Sequence, residues 1–147
     1  MPDDMSLEPG EAVVLAQRLI DDGRPFHAHE VLEAAWKSGP DDQRELWQGL
    51  AQIAVGLTHA RRGNSRGAVS LLTRGSAAVD GYLRRARGSA GGKQGRAGAR
   101  GPGLLPGSLD AAGAARAARE LAGRIRAGGL ASLSDGDMRL RITSGPG

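Results

Sequence analysis

The chain has 147 residues, the size of one compact domain, with a formal net charge of +4, 24 glycines and no cysteine. Without cysteine there are no disulfides, no thiolate metal sites and no cysteine nucleophile. One Phe, one Tyr and two Trp leave the core to aliphatic side chains and alanine.

No run approaches the ~18 apolar residues of a membrane span. Asp3 and Asp4 stand where a signal peptide would carry positive charge. A soluble, cytoplasmic protein without a membrane partner is expected. Residues 1–85 hold 10 Lys+Arg and 12 Asp+Glu, a net of −2, whereas residues 86–147 hold 10 and 4, a net of +6. The basic character therefore belongs to the second half, and the first half does not look like a nucleic-acid binder.

After a ragged start, Pro9 marks the first turn of a helix whose apolar face is Ala12, Val13, Leu15, Ala16, Leu19 and Ile20. "DDG" ends it, with Gly23 as a left-handed cap. Pro25 suits the first turn of a second helix running to about Ser38. Asp41 or Asp42 can cap a third over roughly 42–62. Gly63 ends that one, and Asn64 or Ser65 starts a fourth that reaches about Arg87. Residues 86–107 then carry eight glycines in 22 positions without a helical or strand period. They read as a flexible, basic linker. Ser108 or Asp110 can cap a fifth, alanine-rich helix to about Ala127. "GDMRLRIT" alternates Met138, Leu140 and Ile142 against Arg139, Arg141 and Thr143. That is a strand pattern with no visible partner strand, so it reads as an extended tail.

The fold class expected is all-α, a small bundle of four to five helices with a flexible Gly/Arg-rich linker before the last. Residues 1–87 would form the bundle core, 88–107 the linker, and 108–147 a C-terminal helix and tail of the same domain. Leu32, Trp36, Leu46, Leu50, Ile53, Leu57, Leu71, Leu72 and Val79 are the expected core.

"RPFHAHEVLEAAWK" raises the functional question. On a helical wheel Ala28, Val31, Leu32, Ala35 and Trp36 form an apolar face. His29 and Glu33, four apart, stack at its edge, His27 falls on the opposite edge, and Glu30 points to water. The third helix carries three stripes. Leu46, Leu50, Ile53 and Leu57 form the apolar one. Gly49 and Gly56 form a smooth one for close approach of a neighbour. Gln48, Gln52, Val55 and His59 form the third. If helices 2 and 3 pack antiparallel, His29, Glu33, Gln52 and His59 could converge on a partly buried polar cluster, the way bundle-core metal and acid–base sites are built. The bland alternative is a solvated edge. His29, Glu33 and His59 supply only three candidate metal ligands, and Gln is a poor fourth.

"FHAHEVLEAAWK" followed by "WQGLAQIAVGLTHARRGNSRGAVSLL" resembles the family of domain of unknown function 309, small all-α bacterial proteins. The resemblance rests on His29, Glu30, Glu33 and Trp36, then Gln48, Gly49, Gln52 and His59, then Gly63, Asn64, Gly67 and Ala68. Trp47 stands where an aromatic is usual. It covers about residues 24–83 well and the closing helix only loosely. It implies a helical bundle and no particular reaction, and it raises the weight of the polar residues as a site. Asn64 also reads as the cap of helix 4, and Trp36 as core.

No phosphate loop or nucleophile elbow occurs. The basic segment 87–100 lacks aromatics for base stacking, so nucleic acid is expected at most nonspecifically. Three classes remain: a helical module with a His/Glu/Gln pocket for a small ligand or metal; a hydrolase using His29 or His59 as base; and an interaction protein docking a partner through the Gly49/Gly56 face or the basic tail. Enzymatic activity, cofactor and oligomeric state stay open.

Overall fold

The computed structural model describes residues 8–38, 41–92 and 109–143, excepting the side chains of Trp36, Ser38 and 89–92. Among these residues there are five α-helices: α1 (Pro9–Asp21), α2 (Pro25–Ser38), α3 (Arg44–Arg61), α4 (Ser65–Gly92) and α5 (Ala111–Gly128). Short 3-10 turns at Asp41–Gln43, Leu130–Ser132 and Gly136–Met138 complete the order. The chain is an all-α bundle, as the periodicity predicts.

The local stops have simple causes. Gly23 and Gly63 take φ of +79° and +80°, backbone that a side chain at Cβ disfavours, so α1 and α3 end there. The Asp110 carboxylate accepts a hydrogen bond from the Gly113 amide at 3.0 Å and starts α5. At the head of α1, Glu11 accepts from the Glu8 amide at 3.2 Å.

Across short connections α1 packs on α2, α2 on α3 and α3 on α4, and α4 also packs on α5. The expected stripe Leu46, Leu50, Ile53 and Leu57 is buried, together with Leu32, Leu72 and Val79. Leu71 is a correction. It is only half-buried, because Leu72 takes the inward position of that turn. Trp36, expected in the core, has its side chain outside the described residues. Trp47 is buried, and its indole N–H donates to the Gln43 side chain at 3.2 Å. From α5 the core receives Ala114, Ala115, Ala118, Leu121, Ala122 and Ile125.

α3 and α4 approach closely. A Cβ on Gly75 would stand 2.6 Å from the Gly49 carbonyl oxygen, and one on Gly56 would stand 2.9 Å from Leu72. The smooth stripe of α3 thus does what its glycines suggested, but the occupant is α4 of the same chain. The Gly49/Gly56 face is therefore not free to dock a partner.

One expected bound shifts: α4 continues through Gly92 rather than ending at about Arg87. The remainder of the expected linker, 93–107, lies outside the described residues, as does Ser108. The tail lies against the bundle: Leu140 and Ile142 are buried while Arg139 and Arg141 face water, which is the alternation the sequence shows. Its β pairing among the described residues is a single antiparallel bridge between Leu109 and Thr143. Its main anchor is Gln17 of α1, itself buried. The Gln17 side chain accepts from the amides of Ile142 at 2.6 Å and Thr143 at 3.1 Å, and donates to the Leu140 carbonyl at 3.1 Å. No helix among the described residues is long and apolar enough to cross a membrane.

Candidate functional site

The contacts of Arg61 with Gly23 and of His59 with Asn64 put the start of α2, the end of α3 and the start of α4 at one end of the bundle. His29 lies in the second turn of α2 and His59 in the last turn of α3, so topology brings both to that end.

His29 is half-buried, with its Nε2 3.7 Å from the Glu33 carboxylate. That is within ion-pair range but beyond a hydrogen bond. Its other nitrogen, Nδ1, is buried without a hydrogen-bond partner. The Phe26 ring lies 5.6 Å from the His29 ring, centre to centre, and meets His27 edge-on at 6.1 Å. Phe26 is 44% exposed, unusual for the one phenylalanine of a chain so poor in aromatics. Glu30 is exposed, as the wheel predicts, and His27, placed by the wheel at the opposite edge of the apolar face, is exposed too.

On α3, Gln48 is exposed, and Gln52, Val55 and His59 are half-buried. His59 belongs to a second pair. The Asn64 amide nitrogen lies 3.0 Å from His59 Nδ1, while Asn64 Oδ1 accepts from the Gly67 amide at 2.9 Å. Asn64 is thus the cap of α4 and also a neighbour of the imidazole. Gly67 leaves the room for both: a Cβ there would stand 2.6 Å from the Asn64 amide and 2.9 Å from the His59 ring.

The structure therefore joins His29 to Glu33 and His59 to Asn64. No hydrogen bond or ion pair among the described residues links the two pairs to each other or to Gln52. Nor does any group of three or more His, Cys, Asp or Glu side chains among them stand ready to hold a metal ion, so His29, Glu33 and His59 are not gathered into a ligand set. A shallow open groove runs along α1, lined by Glu8, Gly10, Glu11, Val14, Leu15 and Arg18, and none of the candidate residues lines it.

Sequence reasoning did not single out Phe26 or Arg61. An exposed aromatic beside two histidines in a first helical turn is a signal for Phe26. Arg61 had no local signal, because its partners come from afar. Its guanidinium pairs with Asp135 at 2.7 Å and packs over Gly23, where a Cβ would stand 3.5 Å away. The Arg61 guanidinium, by hydrogen bond and charge, holds the Asp135 carboxyl below its ordinary value, with Arg139 adding to it.

Residues 13–71 match the model of the family described as Domain of unknown function (DUF309). The match includes most of α1, beyond the residues 24–83 that carry the resemblance in the sequence, and ends inside α4. The chain is also similar to Uncharacterized protein YpuF of Bacillus subtilis (strain 168), 46% identical over 48 residues. That stretch is 32% of this chain and 28% of the relative, so the match spans less than a third of the relative's length. No solved structure matches. Both histidine pairs fall inside the matched residues 13–71.

Proposed function

We propose that the end of the bundle where α2 begins and α3 ends binds a small polar ligand, with His29 as its anchor. Phe26, Glu33, Gln52 and His59 are the residues that would surround it. The observation that supports this most is the setting of His29. A buried ring nitrogen without a partner costs roughly 1–3 kcal/mol, and folded proteins keep few such groups without a reason. Here the unpaired nitrogen belongs to a ring held between an exposed aromatic and a carboxylate. A ligand that turns this ring would bring the buried nitrogen to a partner, and Phe26 offers an apolar platform beside it. The reading favours binding over acid–base catalysis, because no hydrogen bond orients His29 on Glu33.

The test is a two-dimensional amide NMR screen of the full chain against small carboxylic acids, amides and zinc. The expected result is a set of shifts centred on Phe26, His29, Gln52 and His59 that disappears in His29→Ala with helix content unchanged. Shifts confined to the α1 groove, or shifts that His29→Ala leaves intact, would sink the proposal.

A further inference from the structure

Asn64 does two jobs with one amide, and the first determines the second. Its oxygen is committed to the Gly67 N–H at 2.9 Å, because a backbone amide meets only an acceptor. This fixes the side chain's orientation and turns its NH2 group toward His59 Nδ1, 3.0 Å away. An amide NH2 only donates. Nδ1 must therefore be the acceptor of the pair, and the proton of the neutral ring sits on Nε2. We infer that Asn64 is a positioning residue that locks His59 as its Nε2–H tautomer, so that the imidazole presents a hydrogen-bond donor to whatever meets it.

Three observations carry this beyond ordinary helix capping. A serine or aspartate would cap α4 as well as asparagine does, but neither has an NH2 to give. Position 67 is a glycine in the first turn of α4, and any Cβ there would press on the Asn64 amide and the His59 ring together. Finally, Nε2 has no partner among the described residues and is not a buried atom, so its N–H is available.

The consequence is chemical. A neutral imidazole whose Nδ1 is occupied and whose Nε2 carries hydrogen has no lone pair to offer. In this state His59 neither takes a proton as a general base nor ligates a metal without breaking the Asn64 contact. It meets an acceptor oxygen, such as a carboxylate, phosphoryl or carbonyl group. Where this concerns a ligand it rests on the binding reading above. The tautomer itself does not.

The experiment is a long-range 1H–15N spectrum of the histidine rings in the full chain at about pH 8.5, where a free imidazole is neutral. His59 is expected to show Nδ1 at the unprotonated position and Nε2 at the protonated one. Asn64→Asp keeps the cap but sets an acceptor against Nδ1, and should move the proton to Nδ1. Asn64→Ser keeps the cap with no donor, and should give a mixture of the two forms. The circular-dichroism spectra should match the parent. A protonated Nδ1 in the parent overturns the inference, as does an unchanged His59 pattern in both variants. Should Asn64→Asp unfold, Asn64→Ser decides alone. None of these outcomes depends on a ligand, so a failed ligand screen and a failed tautomer assignment are told apart.

Discussion

The seam between α3 and α4 and the closure of the tail on α1 both hold the bundle together, by opposite means. The seam is apolar and close. Gly49, Gly56 and Gly75 bring two backbones together, and Leu50, Ile53, Leu72 and Val79 fill the space beside them. The closure is a polar clamp. One buried glutamine replaces the missing neighbour strand for residues 140–143, and ion pairs from Asp135 and Asp137 secure the approach. The seam works by many small non-directional contacts, so it follows from pattern. The clamp works by a few directional bonds, each of which leaves a costly orphan if broken.

The largest effect should come from the seam. Leu50 is 1% exposed in the middle of α3. Leu50→Ala should destabilise the chain by about 2–5 kcal/mol, the usual range for a buried leucine. Urea unfolding measures it, and a change below about 0.5 kcal/mol would mean that the inward face of α3 is assigned wrongly.

Gln17→Leu should come next, and its effect should be local. The substitution strands the Ile142 and Thr143 amides and the Leu140 carbonyl, at about 1–3 kcal/mol for each group left buried. Release of the tail to water relieves that cost at the expense of the burial of Leu140 and Ile142. Amide exchange should therefore speed up at Ile142 and Thr143 far more than in α3 or α4. Equal loss of protection throughout would show that the clamp is not a separate unit.

Gly75→Ala should have a smaller effect, and its sign is informative. Alanine gains about 1 kcal/mol of helix propensity over glycine. Against this, the new Cβ meets the Gly49 carbonyl oxygen and the Ile53 amide nitrogen, backbone atoms that cannot turn aside. Overpacking costs of about 1–3 kcal/mol exceed the gain, so net destabilisation of about 1 kcal/mol is expected. A more stable variant in thermal melts would mean that the helices separate freely and the seam is not tight.

The same division explains what was legible in the sequence. α2 begins at Pro25 and ends at Ser38 as read, and Gly23 and Gly63 are the stops, because proline and glycine act through their own backbone. The buried stripe of α3 follows from the 3.6-residue period. Gln17 was not legible: a lone polar residue within an apolar face looks like noise, and its partner is 125 residues away. The tail's alternation was visible, but an alternation does not say what it will pair with. The last turn of α4 was read as linker because Gly88, Gly91 and Gly92 have low helix propensity, which the α4 helix overrides. In the site, the capping role of Asn64 follows from its position before Ser65, and His29–Glu33 from their spacing of four. The contact of Asn64 with His59 crosses the turn at Gly63, and only the folded turn reveals it.

The smallest expected effect separates the two regions by acid. Asp135 is held below the ordinary carboxylate value of 3.8 chiefly by its hydrogen bond and ion pair with Arg61, and Asp137 by the Ser134 amide and then Arg124. The unfolded chain has the ordinary value. A carboxylate lowered in the folded state contributes its stability fully above the unfolded value and loses it as pH falls through the folded one. The attachment of residues 133–143 should thus be unchanged between pH 7 and about 5, weaken as pH drops below about 4, and vanish below the lowered values. Both groups face solvent, so screening keeps the effect small, and added salt should reduce it further. The buried part of the seam, Gly49, Gly56, Gly75, Leu50, Ile53, Leu72 and Val79, contains no titrating group. The Glu45–Arg85 ion pair that bridges α3 and α4 lies at its exposed margin, so the amide of Ile53 should keep its exchange protection over the same range. Amide exchange at Ile142 against that at Ile53, followed with pH, reads the difference directly. In Asp135→Asn the pH dependence at Ile142 should shrink while that at Ile53 stays flat. A parent protein in which the two amides lose protection together as pH falls would show that the clamp and the seam open as one.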